Sequence, residues 1–434
     1  MAGILQDSVQ DWADQASQMG EIFSNAYLTI AASASENGQQ GLVSRRRATQ
    51  KLDVVHNGKA FVVYARHAPE HEFRAHATGL PFMGGATQLP LRKRAWCFQE
   101  ELLSKRIIHF TQDESVFVCQ EATTCECNLS GRPRFVLPRV VGTDLRAASR
   151  IWKNIVEHYT GRQISFCKDR LPALSSLTHL FEEGSGRYLA GLWESHLPGS
   201  LLWLATCGRR LEQEQHSQCR PPSWSWASIE GELKHPQDYR GYGQKDVAEV
   251  LDVRTYPSTV DPRGMVSGGQ ITLRGPLFPL QRTWKRHETP WDEFLERHIR
   301  VILFDSCFAC TPGWTANHPW LEQEHCYCVL DDPTDSMLLL PNHVIDAPIF
   351  LSVIRTIKNS KWDVNSLNPY PKGCCFLGLL LQPLEDLNQI QAKIMKDSES
   401  KLSFVRVGFG MMCLSKEDSD EALYYFGNTT VTIF

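Results

Sequence analysis

Arg94, Trp96, Gln99 and the adjacent carboxylates Glu100 and Glu101 crowd into little more than one helical turn, just ahead of the β-type run Ile107-Ile108-His109-Phe110. Two uses of such a turn are open. Trp96 and Leu103 can pack a core while Arg94 and Glu100 form an ion pair, or a partly buried carboxylate can be held ready for chemistry. Other clusters are less specific. Cys307-x-x-Cys310 and Cys326-x-Cys328, with His318 and His325 between them, have the residue types of a zinc site. Thiolates separated by two residues suit tetrahedral coordination. The second pair has a single intervening residue, and on a strand that is also how core cysteines alternate. Cys119, Cys125 and Cys127 near His109 specify no fourth ligand, and Cys374-Cys375 lies in an apolar run. The expectation is that no metal is bound. A Gly-x-Ser-x-Gly elbow, a Walker A loop and a His-Glu-x-x-His pair are all missing from the sequence, and Gly408-Phe409-Gly410 lacks the third glycine of a dinucleotide loop.

The elements that must position these residues are legible from periodicity. Ser8 to about Asn25 reads as an amphipathic helix with Trp12, Ala16, Met19, Ile22/Phe23 and Ala26 on one buried stripe. Tyr27 to Ala32 follows as a buried strand. Two hairpins are predicted. One pairs Leu52–Val55 with Ala60–Tyr64 across His56-Asn57-Gly58-Lys59, where Asn-Gly accepts the positive φ of a type I′ turn. The other pairs Ile107–Phe110 with Val116–Cys119. Farther on, Ile151/Trp152, Ile155/Val156 and Tyr159 mark a helix, and Asp169-Arg170-Leu171-Pro172 starts another, with proline in its first turn. A third apolar segment, Tyr188 to Leu204, interrupted by Pro198-Gly199, completes this helical middle. Ser223, Ser225 and Ser228 lie among tryptophans, as in a packed β-type corner. Beyond them come short β-like pieces at Ile271–Leu273, Val301–Phe304, Cys326–Leu330, Phe376–Leu381, Phe404–Met411 and Val431–Phe434. The expected domains are 1–128 (α/β), 129–235 (helical) and 236–434 (β-rich).

Composition narrows the class. A 42% hydrophobic, 22% charged chain with twelve tryptophans can bury a large core. A net charge of −4 leaves no electrostatic footprint for nucleic acid. Arg45-Arg46-Arg47 and Arg92-Lys93-Arg94 read as a solvated loop and a helix entrance. The sequence has no apolar run of the roughly 18 residues a membrane helix requires. Asp7, Asp11 and Asp14 near the start do not form a secretory signal, and fourteen cysteines read as reduced thiols, so the expected location is cytoplasmic.

Several of these segments together resemble the heterokaryon-incompatibility (HET) domain of filamentous fungi. The resembling residues are Ile4-Leu5-Gln6-Asp7, Asp11, Trp12, Met19, Ile22, Ala26 and Leu28-Thr29-Ile30-Ala31-Ala32, then Arg94, Trp96, Gln99, Glu100, Leu103, Ser104 and Arg106. Asp169–Leu174, Pro222–Ser228 and Arg406-Val407-Gly408 are also similar to segments of proteins that carry this domain. The family's opening strands, ending Ser-Tyr-x-Trp-Gly and Trp-Ile-Asp, do not occur here. The expectation is therefore an N-terminally truncated gene model or a degenerate, non-functional paralogue.

The resemblance implies a partial α/β fold like that of Toll/interleukin-receptor (TIR) domains. It also implies a role in fungal allorecognition, ending in programmed cell death or growth arrest through protein partners or self-association. Some TIR relatives cleave NAD. On that analogy Glu100 would be the carboxylate set against the ribose, Trp96 a stacking wall and Arg94 the phosphate contact, with NAD as substrate and no cofactor. The preferred expectation is a signalling module; the alternative is an NAD-hydrolysing enzyme.

Overall fold

The computed structural model describes residues 18–42, 50–65, 89–112, 114–126, 132–133, 144–205, 209–210, 220–235, 243–259, 261–280, 284–286, 303–307, 325–331, 349–358, 373–384, 402–415 and 429–434. Helices and sheets are mixed, and strands dominate these residues. The chain forms two compact units, one of Met1–Val140 with Arg162–Phe181, the other of Val141–Gly161 with Glu182–Phe434.

In the first unit, helix α1 (18–25) leads to strand β1 (Thr29–Ala31). Of the predicted stripe, Met19 is buried, Phe23 and Ala26 are half-buried and Ile22 is 38% exposed, while Trp12 and Ala16 lie outside the described residues. Gly20 has a steric purpose: a Cβ there would lie 2.8 Å from the Cβ of Ser176 in helix α4 (Pro172–Thr178), and its absence admits close approach of the two helices. Hairpin β2 (Gln50–His56) and β3 (Lys59–Ala65) closes in the expected register, His56 opposite Lys59, with positive φ at both Asn57 and Gly58. Helix α2 (Trp96–Leu103) then feeds β4 (Arg106–Phe110), which turns into β5 (Ser115–Cys119), followed by β6 (Ala122–Cys125) and β7 (Arg132–Pro133). The sheet order is β1-β4-β5-β6-β7, with β1 parallel to β4 and the other pairs antiparallel. Ala31, Ile107, Val116 and Val118 form its core, each on the inward half of a strand's alternation. The Tyr27–Ala32 run is a strand only over three residues and is not a buried one. Ile30 is 58% exposed on the face of β1 opposite the buried Ala31.

The second unit begins with α3 (Leu145–Thr160), capped by Asp144, whose carboxylate accepts from the N–H groups of Arg146 and Ala147. Its buried stripe is Trp152, Ile155, Val156 and Tyr159, as the periodicity predicts. The segment after it departs from the helical expectation. Tyr188–Leu189 and Leu192–Trp193 pair as a hairpin across Ala190 and Gly191, both at positive φ, and the chain then runs through 3-10 turns. A helix cannot hold that turn. Gly191 is required there for a second reason: Trp226 lies so close that any Cβ would collide with its indole. The Gly191 carbonyl accepts from the indole N–H of both Trp152 and Trp226, 2.9 Å each.

The rest is β. Among the described residues an eleven-stranded sheet includes Val266–Gly275, Ile349–Lys358, Gly373–Pro383, Leu402–Ser415 and Thr429–Ile433. Most pairs are antiparallel, while Leu402–Phe404 runs parallel to Val431–Ile433. Arg406 is fully buried in this unit. It forks onto Asp331 at 3.0 and 3.2 Å, donates to the carbonyls of Leu201 and Trp203, and lies 3.2 Å over the Trp203 ring. Removing one member of a buried, hydrogen-bonded pair leaves the other charge uncompensated, at a cost of about 3–5 kcal/mol. Asp331→Ala should therefore lower unfolding stability by about that amount in a urea titration followed by tryptophan fluorescence. A loss under about 1 kcal/mol would mean that Arg406 is solvated as an ordinary surface arginine is.

Candidate functional site

The turn from Arg94 to Leu103 is set in place by backbone bonds from both sides. The 3-10 helix Pro90–Lys93 precedes it, and Gln163 bridges to it, accepting from Ala95 N–H at 2.9 Å and donating to the Lys93 carbonyl at 2.6 Å. Ser104 ends α2, its N–H and hydroxyl both donating to the Glu100 carbonyl. Ser104 and Thr29 hydroxyls meet at 2.7 Å, joining the helix end to β1.

The charges within this frame divide unequally. Glu101 is 2% exposed and receives Arg92 Nε at 2.9 Å on one oxygen and Arg162 Nη2 at 3.2 Å on the other. Burial pushes its carboxyl upward, but Arg92 and Arg162, with His109 beyond them, outweigh it and hold the pKa at about 2. Arg162 also lies over the Phe98 ring, 4.6 Å from its centre, and His109 Nδ1 is 2.9 Å from the Ser33 hydroxyl. Glu100 is half-buried and behaves oppositely. Desolvation, reinforced by the neighbouring Glu101 charge, raises its pKa, against a hydrogen bond from the Cys97 thiol and the pull of Arg94. Burial also lifts the Cys97 thiol to about 12, which makes it a poor nucleophile. Trp96 is half-buried and donates its indole N–H to Asp169 Oδ2 at 3.2 Å; burial raises the Asp169 carboxyl. Gln99 is 1% exposed and neither polar atom of its amide has a hydrogen-bond partner among the described residues.

Of the residues singled out in the sequence, Trp96, Gln99 and Glu100 thus come together on one helix. Arg94 is exposed at its start. Arg106 is exposed on β4, with its guanidinium 5.1 Å from the Tyr27 ring centre. Asp11 and Trp12 lie outside the described residues, as do Arg45-Arg46-Arg47, Cys127, Cys310 and His318. Arg92-Lys93-Arg94 forms the helix entrance that was expected, through the 3-10 helix Pro90–Lys93, and within it Arg92 is 3% exposed and ion-paired with Glu101. Arg92, Glu101, Arg162, His109, Ser33 and Asp169 were not legible as a group, since their grouping depends on contacts between residues up to 76 positions apart.

The acid limb of stability follows from Glu101. Its pKa falls from 4.5 to about 2 on folding, so its contribution is present above pH 4.5 and lost as pH drops toward 2. The shift corresponds to roughly 3 kcal/mol. Glu100, with a raised pKa, gains stability as pH falls toward 4.5, above the window of Glu101, and a variant separates the two. Glu101→Gln should be less stable than the native chain at pH 7 and should have a shallower acid limb; equal slopes between pH 4.5 and 2 would rule the clamp out. Gln99→Met removes two unpartnered polar atoms at nearly constant volume, and its midpoint of thermal unfolding should stay level or rise. A loss of unfolding free energy above about 1 kcal/mol would show that the amide is satisfied.

Residues 2–100 match the family described as Heterokaryon incompatibility protein (HET). The match spans less than a quarter of the chain and includes Asp11, Trp12, Arg94, Trp96, Gln99 and Glu100; Leu103, Ser104 and Arg106 fall beyond it. No curated protein and no solved structure matches the chain.

Proposed function

With heterokaryon-incompatibility sequence over residues 2–100 as the premise, we propose that the chain acts in fungal non-self recognition as a cytoplasmic signalling module. Its engagement, by self-association, ends in growth arrest or death of the cell. The observation that carries this reading is the β2–β3 hairpin, which lies within the matched residues. Val55 is 71% exposed and Tyr64 67%, and Val54, Phe61, Val62 and Val63 are exposed beside them. A two-stranded hairpin with apolar side chains open on both faces is marginal alone in water. Its strand edges and apolar faces suit pairing with the same element of a second copy. The parallel β1–β4 pair with α2 leading into β4 supports a TIR-like arrangement of this unit.

The NAD-hydrolysing alternative draws on a separate observation, the half-buried Glu100 with its raised pKa one turn from the half-buried Trp96. Glu101 does not serve that chemistry, because both its oxygens are held by arginines.

Val55→Glu with Tyr64→Lys should abolish self-association in sedimentation runs and also abolish killing when expressed in a fungal host. A monomeric variant that still kills refutes the module. Glu100→Ala should leave both killing and cellular NAD unchanged; NAD loss that depends on Glu100 would establish the enzyme instead.

A further inference from the structure

The second unit contains a cavity of about 620 Å³, within the roughly 300–1,000 Å³ range of small-molecule sites. Its wall is built from two sources. The hairpin after α3 supplies Arg187, Tyr188 and Trp193, and the strand Glu249–Pro257 with the turn after it supplies Arg254, Tyr256 and Arg263. The aromatic part is held by packing. Tyr188 meets Trp152 and Trp193 edge-on, with ring centres 5.9 and 5.2 Å apart. Tyr256 stands opposite Gly268 in its β-ladder, against the open side of that glycine, and remains 49% exposed.

The charges are placed asymmetrically. Three guanidinium groups line the cavity, and Glu182 is the one carboxylate among its described lining residues. Each arginine has a carboxylate partner outside the lining: Glu194 for Arg187 at 2.7 Å, Asp252 for Arg254 at 2.9 Å and Asp261 for Arg263 at 3.0 Å. Two of these pairs are cheap to rearrange, because the side chains of Arg187 and Arg254 are 60% and 63% exposed. Arg263 also contacts Glu182 and is the better anchored of the three. The described lining therefore carries three cations against one carboxylate. A guanidinium fork fits the oxygens of a phosphate, and the tyrosine rings offer a flat apolar surface.

We propose that this cavity is a ligand site for a planar heteroaromatic compound bearing a phosphate, of the nucleoside-monophosphate class. Arg187 and Arg254 take the phosphate and Tyr256 covers the ring. The site is independent of the Trp96–Glu101 turn.

Calorimetric titration of the full chain with adenosine monophosphate, adenosine and inorganic phosphate tests the proposal, with tryptophan emission (Trp193 lines the wall) as a second readout. Adenosine monophosphate should saturate at one site per chain, and adenosine and phosphate should each bind at least about tenfold more weakly. The double variant Arg187→Ala with Arg254→Ala should bring the nucleotide down to the level of adenosine, and Tyr256→Ala should weaken both. Glu194→Gln, which releases Arg187 from its partner, should tighten the nucleotide. All these side chains are well exposed, and an unfolding curve on each variant confirms that the fold is kept. No saturable nucleotide binding at millimolar concentration overturns the proposal. So does adenosine binding as tightly as its monophosphate, or affinity indifferent to the two arginines.

Discussion

A carboxylate held out of water between two arginines is the constraint on which the first unit depends. Glu101 alone would be protonated or drawn to the surface, because ionised groups are costly to bury. Arg92 and Arg162 make its burial tolerable, and each arrives from a different part of the chain: one from the 3-10 turn before α2, the other from the residue that follows α3 and the glycine after it. Satisfying one side chain therefore fixes three segments together. The backbone bonds of Gln163 to Lys93 and Ala95 reinforce the same junction.

That junction explains why neighbouring glutamates on one helix have opposite characters. Successive helical residues point about 100° apart, so Glu101 turns inward to the arginines while Glu100 remains half-covered beside Cys97. One has a structural part, and the carboxyl of the other is raised by burial. A charge-and-packing role for Glu101 and an interaction role for the exposed hairpin are compatible, since they use different surfaces of the same unit.

The second unit solves a similar problem by other means. Its core is organised by tryptophans whose indole N–H groups need acceptors, and the Gly191 carbonyl serves two of them. Ser225 adds a hydroxyl bond to the Ala190 carbonyl, so the Ser-Trp-Ser-Trp segment is wrapped on the 188–193 hairpin. Arg406, stacked on Trp203, then connects this cluster to the strand Leu402–Ser415 and to Asp331. The serine and tryptophan residues of this segment are spent on packing, in keeping with the packed corner expected from the sequence.

Local order was written in the sequence. The Asn57-Gly58 turn, the α3 stripe, proline at the start of α4, the β4–β5 hairpin and the strands after Ser228 follow from φ preferences and periodicity, which act over a few residues. The Trp96–Glu100 turn was equally plain as a group of unusual residues. The sequence did not determine which glutamate is buried, that Arg92 is internal, or that Tyr188 to Leu204 is a hairpin and turns instead of a helix. Those outcomes depend on partners many residues away, Arg162 for Glu101 and Trp226 for Gly191, and a contact of that range has no periodic trace along the chain. Only the folded arrangement decides it.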